Sequence, residues 1–165
     1  MKLNEIHDQA VAIFLVGLPG SGKSTFRDKL PKDYVILSTD DVFDRLAKER
    51  GMTYSQAFHK LGFKIPQIEF DNLFNDAIVN NRNIVIDQTN MNVASRAKKL
   101  RLIPKQYKKI AVVFSVPDDV LQQRLDKRAA ESGKVIPGNV LANMRASYQE
   151  PTKNEGFDEI RFINQ

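Results

Sequence analysis

The sequence predicts an α/β fold, with a central and mostly parallel sheet of about five strands and helices on both faces. Three observations lead there. Short apolar, β-branched runs recur along the chain, segments of helical character separate them, and the first run leads straight into a glycine-rich turn. Apolar strands alternating with helices imply a sheet buried on both sides.

The strands are predicted at Val11 to Val16, Tyr34 to Leu37, Ile84 to Ile86 and Ile110 to Val116, with Ile160 to Ile163 as a fifth. Helices are predicted over Ser24 to Lys29, Asp41 to Arg50, and Val93 to Leu102, the last stopped by Pro104. Pro117 introduces a helix over Asp118 to Ala130 whose first turn is acidic, and Pro137 introduces one over Asn139 to Tyr148. Between Thr53 and Asn80, Gly62 and Pro66 interrupt a helical pattern, which leaves two helices or one broken helix open.

At 165 residues, 42% hydrophobic and 27% charged, the chain is expected to form a single domain over 1–165. Cysteine is absent and the only histidines are His7 and His59, which excludes a disulfide framework and a Cys/His zinc site and suits a reducing compartment. The apolar run from Ala10 to Leu18 is not read as a signal peptide, although Lys2 precedes it. Glu5 and Asp8 stand before it, no small-residue cleavage site follows, and the glycine turn needs a strand there. No run approaches the ~18 apolar residues of a membrane-spanning helix. A net charge of +5 favours polyanionic partners at low salt, nucleotides and nucleic acid alike.

Gly17-Leu18-Pro19-Gly20-Ser21-Gly22-Lys23-Ser24 matches the phosphate-binding pattern G-x-x-x-x-G-K-[ST], with a strand before it and a helix after it. The glycines let successive backbone N–H groups turn inward as an anion nest. Lys23 is expected to reach the β and γ phosphates of ATP, Ser24 to ligate Mg2+, and Thr25 to touch the α-phosphate. The fold class is therefore the three-layer P-loop NTPase fold with a helical lid.

The next question is what receives the phosphoryl group. Asp40, just past the second strand, is placed to accept the proton of an attacking hydroxyl; its rival role is to cap the following helix, the role expected of Asp41. Asp87 ends the third strand in Asp87-Gln88-Thr89-Asn90, where it would order magnesium-bound water or the acceptor, or else simply form a turn. Arg124 and Arg128, four apart on one helix face, are read as a phosphate clamp, with a solvated face paired to Asp126 and Lys127 as the alternative. Beyond them, Ser132 to Pro137 is a basic, glycine-containing loop suited to a moving lid. Arg96, Lys98, Lys99, Arg101, Lys105, Lys108 and Lys109 form a run without an acid, which either tracks a nucleic-acid backbone or is a solvated face.

Five segments in order, GLPGSGKST, STDDVF, IVIDQTNMN, VPDDVLQQRLDKR and IPGNVLANMRASYQEP, resemble the kinase domain of bacteriophage-type polynucleotide 5'-hydroxyl kinases, from about Ala12 to Pro151. The resemblance implies transfer of the ATP γ-phosphate to the 5'-hydroxyl of DNA or RNA. It makes Asp40 the general base, Lys23 and Ser24 the handlers of ATP and Mg2+, and Asp87, with Thr89 and Asn90, the acceptor side. Arg128 becomes the lid arginine nearest the reaction, with Arg124 beside it. It also implies a cytoplasmic setting, the host's if the protein is phage-encoded, and a separate partner for end repair, since no phosphatase segment accompanies the kinase.

One departure stands out. Where the family carries an arginine three residues after its catalytic aspartate, this sequence has Phe43, either a base-stacking substrate contact or a core aromatic, with Arg45 two residues farther on. The departure keeps alternatives open: a small-molecule kinase acting on a nucleoside, nucleotide, sugar or antibiotic hydroxyl, and a non-catalytic nucleotide- or nucleic-acid-binding module.

Overall fold

A computed structural model describes residues 9 to 165. Lys2, Glu5, His7 and Asp8, on which part of the reading of the N-terminus turned, lie outside the described residues. All five predicted strands are present: β1 Val11–Val16, β2 Val35–Leu37, β3 Ile84–Asp87, β4 Lys108–Ser115 and β5 Glu159–Asn164. They form one sheet in the order β2-β3-β1-β4-β5, with every pairing parallel.

Alternation along the strands divides the core between two faces. Phe14, Ile84, Ile86 and Ala111 pack with Phe70, Phe74 and Leu100, whereas Ile13, Leu15, Val85 and Val112 pack with Phe26 and Leu30 on the opposite side. Because β1 lies between β3 and β4, the segment that leaves β1 emerges beside the end of β3, and Leu15 is in register with Asp87.

The helices are α1 Lys23–Arg27, α2 Thr39–Glu49, α3 Tyr54–Leu61, α4 Lys64–Val79, α5 Val93–Leu100, α6 Asp118–Ser132 and α7 Gly138–Ala146. Helix α1 is shorter than predicted. The Lys29 and Leu30 N–H groups donate three residues back, to Phe26 and Arg27, as the chain tightens ahead of Pro31.

Helix α2 starts earlier than predicted because Ser38, not Asp41, is its cap: the Asp41 N–H donates to Ser38 Oγ at 3.2 Å. The ambiguous stretch resolves into two helices. Thr53 and Gln56 form a capping box that opens α3, Gly62 at φ 61° ends it, and Pro66 sits in the first turn of α4, where its missing N–H costs no helical bond.

Phe43 is 1% exposed, with its ring centroid 5.5 Å from Phe58 and 5.7 Å from Tyr54, in a small core joining α2 to α3. Of its two readings, base-stacking contact and core aromatic, the burial supports the second and closes the first. Among the described residues, no helix is long and apolar enough to cross a membrane.

Candidate nucleotide and acceptor site

The glycine turn forms the concave loop that its sequence demands. Gly20 and Gly22 adopt φ 82° and 103°, a region that side chains with a Cβ rarely enter. A Cβ at Gly22 would also run into the Gln165 side-chain amide. The Gly17 N–H donates to the Thr89 carbonyl at 3.0 Å, which ties the loop to the end of β3.

Lys23 arches over the loop, its Nζ donating to the carbonyls of Gly17 at 2.6 Å and Leu18 at 3.3 Å. Burial pulls this ammonium down to about 8, against the attraction of Asp87 and Asp40, and Arg128 pulls the same way as burial. The Ser21 hydroxyl is buried with no hydrogen-bond partner, while Ser24 and Thr25 are exposed. A concave backbone, an orphaned hydroxyl and a lysine held on backbone carbonyls suit a polyphosphate. Ser24 offers an oxygen to a divalent cation.

Helix α6 closes over the loop from above. The side chains of Leu121 and Leu125 stand 3.3 Å from where a Cβ on Gly20 would lie, and Arg124 Nη1 donates to the Gly20 carbonyl at 3.1 Å. Arg128, one turn farther on, lies 3.9 Å from Asp40 Oδ2. The two arginines therefore share a face but split their contacts between loop and acceptor side. Neither pairs with Asp126, which accepts from Gln122, and Lys127 is matched to Glu131.

On the acceptor side, the exposed Asp40 carboxylate accepts the Tyr54 hydroxyl proton on Oδ1 at 2.7 Å. Burial together with this bond pushes the Tyr54 phenol well above its ordinary range. Asp87 is held by Arg27, whose Nη1 lies 2.7 Å from Asp87 Oδ2 and 3.0 Å from Asp41 Oδ2. Burial raises the Asp87 carboxyl, and Lys23 and Arg27 offset only part of that.

Gln88 Nε2 lies 3.4 Å from Thr39 Oγ1, joining the end of β3 to the start of α2. Thr89 is placed at the loop through its backbone carbonyl. Asn90 faces inward: it is 2% exposed, at φ 49°, and its amide donates to the carbonyls of Leu15 and Ile86. That side chain holds two strand ends together and is not free for a substrate. Arg45 is occupied as well, by Glu49 and Glu69.

The basic run is not one solvated stripe. Arg96 is fully buried, with Nε 2.8 Å from Glu155 and Nη1 donating to the Asn90 carbonyl at 2.8 Å. Lys99 is half-buried on Asn90 Oδ1 at 2.6 Å, and Lys108 pairs with Glu159 at 3.3 Å. Lys98, Arg101 and Lys105 remain exposed.

The model of the AAA_33 family, described as an AAA domain, matches residues 13–151. The chain belongs to this family. Around this AAA domain the solved structures share a P-loop kinase-like fold. A chain of the Pnkp1/Rnl/Hen1 RNA repair complex superposes with a TM-score of 0.67 at 25% identity, over 94% of this chain and 48% of that one. A putative kinase from Chloroflexus aurantiacus superposes with a TM-score of 0.64 at 15% identity, over 94% and 85% of the two chains.

Among curated proteins, mouse heterogeneous nuclear ribonucleoprotein U-like protein 2 is 28% identical over 94% of this chain, which corresponds to 22% of that protein. Uridylate kinase of Saccharomyces cerevisiae is 31% identical over 77% of this chain and 66% of its own length. The chain thus spans about a fifth of the first relatives it matches.

Two side chains of this candidate site escaped the sequence reading, and a third, Lys134, entered it only as part of a basic loop. Arg27 bridges Asp87 and Asp41 from a helix too short to show a periodic face. Tyr54 meets Asp40 from a segment whose helix boundaries the sequence left open. Lys134, in the loop after α6, donates to Asp44 Oδ2 at 2.7 Å and sits 4.5 Å over the Tyr54 ring. From Asp33 to Asp44 the sequence has four acids and no basic residue, a local excess that was the available signal for cations arriving from other segments.

Proposed function

We propose that this protein transfers the γ-phosphate of ATP to the 5'-hydroxyl of a polynucleotide end, with Asp40 as the general base. The observation that carries the reading is the placing of an exposed carboxylate, Asp40, between Arg128 and Tyr54 on the same rim as the Lys23 loop. An ATPase needs only water there, whereas an oriented carboxylate at an open cleft suits a bound hydroxyl. The polynucleotide acceptor is supported by the likeness to the RNA repair complex across 94% of the chain and by the order of the five sequence segments.

In this reading the loop N–H groups of Gly20 and of Gly22 to Thr25, which donate to nothing else in the loop, hold the ATP phosphates, and Lys23 leaves its two carbonyls to follow the β and γ oxygens. Ser24 would hold Mg2+, which when bound supplies positive charge between the phosphates. Asp40 takes the proton of the acceptor hydroxyl as the new O–P bond forms and the bond to ADP breaks. Arg128 offsets charge on the transferred group, and Arg124, anchored to Gly20, fixes the lid over the loop. Asp87, restrained by Arg27, stands on the acceptor side of the phosphates.

The identity to uridylate kinase favours a second reading, a nucleotide acceptor at the same site. One assay separates them: γ-labelled ATP with magnesium, offered a 5'-hydroxyl oligonucleotide beside mononucleotides, nucleosides and sugars. Label on the oligonucleotide is expected; label confined to a small molecule would replace the acceptor while keeping the chemistry.

A further inference from the structure

A cavity of about 330 Å³ opens between α4 and α5, outside the loop, lid and carboxylates described above. Its size falls within the range of about 300–1,000 Å³ typical of small-molecule pockets. Gln88 lines it, and the Gln88 amide meets Thr39, the residue before Asp40. The inner end of the cavity is therefore one side chain removed from the start of α2, which carries the proposed base. From there Ser95, Lys98, Lys99 and Leu102 carry it outward along α5 and its exit, at the spacing of a single helix face.

The charge of this face is unbalanced. Among the described residues, neither Lys98 nor Lys99 has a carboxylate within ion-pair distance, and the nearby Arg96 is committed to Glu155. Lys99 is fixed on Asn90, which is itself fixed on two strand ends, so this ammonium is rigidly placed. Burial, with Lys98 and Arg96 adding repulsion, pulls it down to about 8, and no anion opposes that. A half-buried cation with like charges around it gains from an arriving phosphate. The opposite wall carries one carboxylate, Asp71, which accepts from Gln67 Nε2 at 2.9 Å. An acidic wall facing a basic one would press a polyanion toward α5. Leu102, 60% exposed at the outer end, offers apolar contact to a base.

We propose that the α4–α5 groove is a phosphodiester-binding subsite that receives the single-stranded acceptor just behind its 5' end, with Lys98 and Lys99 on its backbone. The assignment rests on the polynucleotide reading above and adds the surface that would make a strand a better acceptor than a nucleoside. Lys98 is the residue to change, because it is exposed and holds nothing else in place.

The test measures binding of a 3'-labelled 5'-hydroxyl octanucleotide by fluorescence anisotropy across a salt series. The proteins compared are the unmodified chain, Lys98→Glu, and Lys105→Glu as an exposed control of equal charge change outside the groove. Lys98→Glu is expected to weaken binding by about tenfold and to lower the salt slope by about one unit, with a clearly smaller effect for Lys105→Glu. Equal losses in both variants, or no binding by the unmodified chain, would overturn the subsite. Labelled-ATP transfer to the same octanucleotide keeps the two ideas apart. Transfer with an acceptor KM unmoved by Lys98→Glu sinks the groove alone, whereas Lys98-sensitive binding without transfer leaves the groove standing and removes the kinase reading.

Discussion

Asp40 has two carboxylate oxygens and the fold treats them differently. Tyr54 donates to Oδ1 at 2.7 Å, whereas Oδ2 has only Arg128 at 3.9 Å, too long for a hydrogen bond. One oxygen is thereby fixed and the other left free, as the proposed general base requires. Changing Asp40→Asn is expected to lower transfer by about a thousandfold while nucleotide affinity, measured by equilibrium titration, stays within about threefold. Normal turnover would remove Asp40 as the base. Tyr54→Phe keeps the ring that packs on Phe43 and Phe58 and deletes only the bond. A fall in kcat of about tenfold is expected, with KM for ATP and Tm nearly unchanged, since one hydrogen bond is worth about 1 kcal/mol. An unchanged kcat would reduce Tyr54 to packing. The same neighbourhood shows what composition hides: Phe43 and Tyr54 are both aromatic, one wholly inside and one turned to a carboxylate. Only the two-helix arrangement of α2 and α3 decides which is which.

At the scale of elements, the strands were legible because each is a continuous apolar run, which is what burial on both faces of a parallel sheet requires. Helix ends were less so, because Pro31 and Ser38 act through local geometry that competes with periodicity. The run around α5 was the least legible, since a buried arginine and an exposed lysine look alike until Glu155 is brought beside Arg96. That pair joins α5 to the turn before β5, with side chains 0% and 8% exposed. The Glu155 carboxyl, although burial raises it, is held below its ordinary range by the Arg96 guanidinium and the Thr152 N–H. Glu155→Gln leaves a buried guanidinium without its counter-charge and is expected to cost about 3 kcal/mol in denaturant unfolding, where an exposed pair would cost almost nothing. The lid has its own tether in Lys134, which bonds Asp44 and covers Tyr54. Lys134→Ala is expected to speed nucleotide release several-fold in stopped-flow chase experiments, as one of the lid's contacts with α2 and α3 is lost.

For the molecule as a whole, the proposed polyanion sites would leave cations in an unfavourable, half-buried environment when no polyanion is bound. Lys23 and Lys99 are both pulled down to about 8 by burial, from an ordinary value of 10.5. Between about pH 8 and 10 the unfolded chain therefore binds more protons at these lysines than the folded one. By linkage their contribution makes the folded state more stable as pH rises through that window. The charges that act on Lys99 are Lys98 and Arg96, both repulsive, and Asp71 across the groove lies beyond ion-pair distance, so the sign is not reversed. Paired acids elsewhere, such as Glu155 with its lowered carboxyl, lose their contribution only at acidic pH and leave this window untouched. Lys99→Met removes one titrating group without adding charge. The expected outcome, in urea unfolding at pH 7.5, 8.5 and 9.5, is a smaller rise in unfolding free energy with pH than in the unmodified chain, whatever the offset between the two proteins. Parallel curves would mean that Lys99 titrates near its ordinary value, with the α5 face as well hydrated as any surface helix.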